Sequence, residues 1–242
     1  MRSKIIAVWG YKGKTTCTVN LAWQMTQEKP DKVITLLSSN LLFGDIQGYF
    51  GEAVWEQHGL NAALKSNEHA RNFLWRAGTE RPLCDIFMLT LANDTDALMQ
   101  DYPSEESCEH LIEQLSDEQT DYLFIDCSCD LQNPISSVGI VMADRLLCLH
   151  TPSNAAYQWF RSMRSFREQL DLEMKTIHLL YATDYSANPS QYISSLGVKF
   201  ADTVPWIRSA KEHENRGVPI CAENHRDNRA YKQALQRICG LL

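Results

Sequence analysis

The stretch IIAVWGYKGKTTCTVNLAW, residues 5–23, decides how the rest of the chain is read. An apolar run at 5–9 is followed by a turn rich in glycine and then by apolar residues at helical spacing, which predicts strand, tight turn, helix. A turn of this kind presents unpaired backbone N–H groups to an anion, and the helix dipole adds to the attraction. Lys14 supplies a point charge, and Thr15 a hydroxyl suited to Mg²⁺, with Thr16 next in the helix. Gly10, Lys12, Gly13, Lys14, Thr15 and Thr16 are therefore the candidate phosphate-binding residues. Yet only residues 10–13 separate the strand from the lysine, a short connection for a loop that must enclose a phosphate.

Outward from this stretch, strand-like runs recur at 33–37, 86–91, 122–125, 145–149 and 177–181. Several are continuously apolar, as expected of strands covered on both faces. Helical spacing appears between them at 16–27, 105–115 and 155–170. The alternation predicts right-handed βαβ units, hence an α/β fold with a doubly wound, mostly parallel sheet. Residues 51–82 are the least regular portion, read as short helices and loops inserted between the second and third strands. A last helix at about 228–239 places Tyr231, Leu235 and Ile238 on one face, read as core packed on the sheet rather than as a membrane-targeting face. No repeat, low-complexity tract or linker interrupts the chain, and 1–242 reads as one domain.

Composition narrows the function classes. With 242 residues, 44% hydrophobic and 22% charged, the chain can bury one sizeable core. No apolar run approaches the ~18 residues of a membrane span. Met1, Arg2, Ser3 and Lys4 lead straight into the first strand without a signal-peptide layout. The eight cysteines are scattered, and the close pair Cys127 and Cys129 fits neither a zinc knuckle nor a thioredoxin-type motif. Reduced thiols and a cytoplasmic location are expected. A formal charge of −7 argues against a non-specific nucleic-acid coat, while leaving room for a local basic patch.

A second motif, Tyr122-Leu123-Phe124-Ile125-Asp126, ends a buried strand on a carboxylate. Such a residue can order a water on Mg²⁺ beside a phosphate loop, or can cap the next turn. Taken with Lys14 and Thr15, the metal-side role is the better reading. Thr15 and Asp126 are the candidate metal ligands, and Lys14 and Asp126 the candidate catalytic residues. The seven histidines show no metal-ligand spacing and are assigned none. No Gly-x-Ser-x-Gly elbow or Cys/His pairing supports nucleophilic catalysis, and Trp206 reads as a packing residue.

Together, Ile6-Ala7-Val8, Gly13-Lys14-Thr15-Thr16 and Val19-Asn20-Leu21-Ala22 resemble the start of the MinD/ParA ATPases, the deviant Walker A group of P-loop NTPases. LLSSNLLFGDIQGYFG (36–51) looks like the end of the second strand in the CpaE/TadZ branch, where Phe-Gly-Asp follows an acidic Walker A′ motif. DYLFIDCSCD (121–130) resembles the Walker B strand, and ADRLLCLHTPSNAAYQWFRSMRSF (143–166) the next strand, Thr-Pro turn and helix. VPWIRSAKEHENRGVPI (204–220) is similar to the C-terminal proline turn and Gly-x-Pro segment, so the resemblance runs from about residue 5 to the C-terminus. It implies ATP or ADP with magnesium as cofactor, protein partners, a homodimer, and a cytoplasmic protein peripheral to the inner membrane that helps position a pilus or secretion apparatus.

The departures bear on activity. The family loop runs Lys-Gly-Gly-x-Gly-Lys-Thr-Thr. Here either about three residues are deleted, leaving Lys12 and Gly13 beside Lys14, or a gapless alignment puts Trp9 on the signature lysine and Tyr11 on the second glycine. Ser38 and Asn40 occupy the Walker A′ acidic positions, which removes that metal-side charge, and Ala182 stands where the family often has an adenine-reading asparagine. A charge-assisted hydrogen bond contributes ~1.5–3 kcal/mol, so losing two loop donors weakens binding by ~3 kcal/mol or more. That is about a hundredfold in affinity. A degenerate site with weak nucleotide binding and poor turnover is expected. Two alternatives stay open: an active ATPase switching between monomer and ATP-bridged dimer, and a partition protein binding DNA through Arg161, Arg164 and Arg167, three apart on one helix face.

Overall fold

The computed structural model describes residues 3–80, 82–99, 101–117, 119–182 and 189–242. Met1 and Arg2, read above as part of the lead into the first strand, lie outside the described residues. The strands are β1 (Lys4–Gly10), β2 (Ile34–Ser38), β3 (Trp75–Arg76), β4 (Ile86–Leu89), β5 (Tyr122–Asp126), β6 (Arg145–His150), β7 (Thr176–Tyr181) and β8 (Asp202–Val204). The helices are α1 (Lys14–Glu28), α2 (Leu60–Lys65), α3 (Glu105–Leu115), α4 (Pro134–Met142), α5 (Asn154–Ser162), α6 (Arg164–Gln169), α7 (Pro189–Leu196), α8 (Ala210–Arg216) and α9 (Arg229–Cys239).

One eight-stranded sheet runs β3-β4-β2-β5-β1-β6-β7-β8. Among the described residues, every pairing is parallel except β3 with β4. The expected α/β fold with a mostly parallel sheet is the fold observed. β1 lies between β5 and β6 in the middle of the sheet, helices cover both its faces, and its residues alternate between two cores. Ile6 and Val8 join the cluster that holds α1 and α9, while Ile5, Ala7 and Trp9 join the one beneath α3, α4 and α5. This double burial explains why the strand reads as a continuous apolar run. Tyr231, Leu235 and Ile238 of α9 are buried in the first core, as expected.

Two edge strands escaped the sequence reading. β3 and β8 have two and three residues, too few to display a period. The helix expected at 155–170 is also broken, with α5 ending at Ser162 and α6 beginning at Arg164. Trp159 and Phe166, on either side of Met163, both reach the ring of Trp9, at centroid distances of 4.8 and 6.1 Å.

Candidate functional site

β1 ends at Gly10 and α1 begins at Lys14, so residues 11–13 form the entire turn. Gly10 belongs to the strand: a Cβ there would stand 2.6 Å from the Leu149 carbonyl oxygen of β6. Its lack of a side chain serves strand packing rather than the turn. Gly13 is the N-cap of α1 and adopts φ 80°, a left-handed conformation that glycine takes without strain. No side chain caps this helix and no acidic residue lies in its first turn. The N–H groups of Lys14, Thr15 and Thr16 therefore lack helical partners and open toward the carboxyl edge of the sheet.

Lys14 Nζ folds back to the Tyr11 carbonyl at 3.5 Å. Thr15 Oγ1 donates to Asp126 Oδ2 at 2.6 Å, bringing together the two candidate metal ligands from residues 111 apart in sequence. Asp126 is buried, and its Oδ1 has no hydrogen-bond partner. Burial pushes its carboxyl up to about 7, with the Asp45 carboxylate adding to the rise and the Thr15 hydroxyl and Lys14 ammonium opposing it. Thr16 Oγ1 pairs with Tyr49 Oη at 3.0 Å, and burial raises that phenol to about 12. Thr16 thus faces a tyrosine rather than the turn.

The expectation that the metal side lacks a second carboxylate is corrected here. Ser38 Oγ and Asn40 Nδ2 donate to Asp45 Oδ1 and Oδ2 at 2.8 and 3.1 Å, and the Ile46 N–H donates to Oδ1 at 2.9 Å. The positions that lost their acids hold a carboxylate delivered from the Phe43-Gly44-Asp45 turn. Burial raises the Asp45 carboxyl above its usual range. Lys14, Thr15, Asn40, Asp45, Tyr49 and Asp126 line one cleft of about 680 Å³ at the carboxyl ends of the strands.

The remaining candidates fall elsewhere. Trp9 is fully buried against Trp159 and Phe166, which rules out the gapless alignment and leaves the shortened turn. Lys12 is exposed, its ammonium 5.5 Å from the centroid of the Tyr11 ring. Arg167 does not share an exposed face with Arg161 and Arg164. Arg161 sits over Tyr157, Arg164 pairs with Glu168, and Arg167 turns inward to stack on Phe160 at 3.8 Å. The break at Met163 separates the first from the other two. Ala182 follows β7, its N–H bonded to Val204 O at 3.0 Å, and residues 183–188 after it lie outside the described residues.

Asp45 and Tyr49 were missed as site residues. The Phe43-Gly44-Asp45 triplet was in view, but no spacing rule tells that its carboxylate folds back onto Ser38 and Asn40. Asn20 of α1 was likewise seen only as part of a motif. Its Nδ2 donates to Thr16 O at 2.8 Å and its Oδ1 accepts from the Cys221 N–H at 2.9 Å, tying the helix to the C-terminal segment.

By sequence, no protein-family model and no curated protein matches the chain. Solved structures do match in shape. The cell division ATPase MinD of Pyrococcus furiosus superposes with a TM-score of 0.78 at 16% identity, over 99% of this chain and 100% of that one. A ParA family ATPase from Chlorobium tepidum gives 0.77 at 14% identity, over 98% of each chain. The fold is that of the MinD and ParA ATPases. The septum site-determining protein MinD of Pyrococcus horikoshii, solved with Mg-ADP, gives 0.76 at 14% identity over 98% of this chain and 94% of that one.

Proposed function

We propose that this chain is a single-domain, MinD/ParA-like positioning protein of the CpaE/TadZ branch with a weak nucleotide site. It works as an interaction scaffold at a pilus or secretion apparatus, cytoplasmic or peripheral to the inner membrane, with protein partners of that system. The observation that carries this reading is the convergence of Lys14, Thr15 and Asp126 beside an uncapped helix N-terminus, reached through a turn of only three residues. The buried, unpartnered Asp126 Oδ1 and the free N–H groups of α1 fit a magnesium nucleotide on the metal side. When bound, that group supplies the phosphoryl charge and the divalent cation to which these residues are complementary. Thr15 and Asp126 would hold the cation, and Lys14 with the first-turn N–H groups the phosphate. The turn itself has little backbone left to enclose a phosphate.

A second reading, an ATP-dependent dimerising switch, is favoured by one observation. Asp45 brings back a carboxylate where Ser38 and Asn40 had removed it. DNA binding through Arg161, Arg164 and Arg167 is the less favoured reading, because Arg164 is paired with Glu168 and Arg167 turns inward onto Phe160.

Calorimetric titration with Mg-ATP and Mg-ADP separates the first two readings. The expected dissociation constant for Mg-ATP is weaker than about 100 μM, against the micromolar Michaelis constants common among enzymes. Low-micromolar binding would replace the scaffold with the active switch.

A further inference from the structure

Away from the cleft, three donors that showed no ligand spacing in the sequence are brought to one face of the sheet. Cys148 and His150 are two apart on β6 and so point the same way, and the parallel register sets His178 of β7 beside Cys148. All three are buried, and one donor atom from each lies within 4.8 Å of the others. The geometry points to a zinc site made by Cys148, His150 and His178, separate from the nucleotide cleft.

Each outer nitrogen faces an oxygen. His178 Nε2 meets Glu173 Oε1 at 2.8 Å, and His150 Nδ1 meets Tyr192 Oη at 3.4 Å. The inner nitrogens, His150 Nε2 and His178 Nδ1, face each other at 2.8 Å. An oxygen partner on the outer nitrogen of each histidine, with the inner nitrogens converging, is the usual arrangement around bound zinc. The chain of contacts also fixes the protons. Glu173 accepts from His178 Nε2–H, which leaves His178 Nδ1 bare to accept from His150 Nε2–H, and His150 Nδ1 accepts from Tyr192.

Zinc would take the place of the shared proton. His150 keeps one proton by moving it to Nδ1, where the Tyr192 oxygen accepts it, and Cys148 releases its thiol proton to solvent. One proton leaves per ion bound. The two inner nitrogens must open by roughly 0.5 Å, and the widest donor pair, at up to 4.8 Å, must close by about 1 Å, to reach Zn–N bonds of about 2.0–2.1 Å and a Zn–S bond of about 2.3 Å in tetrahedral geometry. Three nitrogen and sulfur donors suit a borderline-soft ion, and a water completes the fourth position. Glu173 and Arg167, 3.6 Å apart, offset each other's charge at the rim. His178 also lines a surface cleft of about 570 Å³ with Lys175 and Phe200, giving the ion a route in from solvent.

The test uses the full, reduced chain after chelator treatment, titrated with Zn²⁺ and with Co²⁺ as the coloured probe. The expected result is one ion per chain, a thiolate-to-cobalt charge-transfer band, tetrahedral d–d bands, one proton released per zinc, and a raised melting temperature. Cys148→Ser should abolish the charge-transfer band and weaken zinc at least about tenfold, the scale of a lost ligand or its support. His225→Ala, remote from both sites, should bind as the parent does. No binding at micromolar free zinc would overturn the proposal, as would a charge-transfer band that survives in Cys148→Ser. Should that variant fail to fold, the cobalt spectrum and proton count of the parent decide: a spectrum without a sulfur band, or no proton released, overturns the site.

Discussion

Residues set the chemistry of the cleft, and Lys14 and Asp126 differ in what they cost the fold. Lys14 makes one long contact to a carbonyl in its own turn. Lys14→Ala should therefore change stability by less than about 1 kcal/mol, as surface substitutions do, while weakening what nucleotide binding there is. A loss above about 2 kcal/mol in denaturant unfolding would show the ammonium serving as a buried charge partner instead. Asp126 is the opposite case. Its folded carboxyl holds a proton up to about 7, whereas an unfolded aspartate releases it near ~4. Between these values the folded state binds more protons, so the carboxyl's stabilising contribution is complete below the lower value and is lost as pH rises through the upper one. Asp126→Asn removes this titration. In chelator, the parent should lose stability relative to the variant between about pH 4 and pH 8, read as a difference in urea midpoints. Parallel midpoints across that range would mean that the carboxyl is not held protonated by its burial. That Lys14, Thr15 and Asp126 meet in one cleft could be read from the sequence, because each stands at a strand or helix end whose position the apolar periodicity marks. Asp45 could not, because its role depends on a turn folding back onto Ser38 and Asn40.

Elements place these residues, and the turn between β1 and α1 is the one under most constraint. Its two glycines act by different physics. Gly13 needs a left-handed φ, so Gly13→Ala should cost about 1–2 kcal/mol, the penalty of that conformation for a residue with a Cβ. Gly10→Ala instead drives a Cβ into the backbone of β6, an overpacking cost of about 1–3 kcal/mol. Unfolding curves measure both, and a neutral Gly13→Ala would show that the turn relaxes at no cost. The long, doubly covered strands β1, β2, β5, β6 and β7 were legible because burial on both faces leaves an unbroken apolar run. β3 and β8 were not, since an edge strand of two or three residues carries no pattern to detect. The break at Met163 was hidden for a related reason. The seven-residue spacing of Trp159 and Phe166, which both reach the ring of Trp9, suits one continuous helix, so the pattern carries no mark of the break.

At the scale of the molecule, the short turn bears on the proposed mode of association. Members of the family that this chain resembles dimerise across two nucleotides, with the signature lysine reaching the partner's phosphate. Here Trp9 is sealed in the core, and Lys12 sits on a three-residue turn with its ammonium over Tyr11. Association should therefore be independent of ATP, because a ligand that bridges subunits must shift the association constant by linkage. Sedimentation with and without saturating Mg-ATP gives the measurement. A mass that doubles with ATP but not with ADP would restore the switch. The sheet order holds one more consequence, for the chain during its synthesis. β1 pairs with β5 and β6, whose residues follow it by more than a hundred positions. At roughly 5–20 residues per second, the nascent chain spends on the order of 6–20 s with its first strand made and neither neighbour yet available. Throughout that interval the apolar run at 5–9 is an unpaired edge, open to a holdase or to another nascent chain.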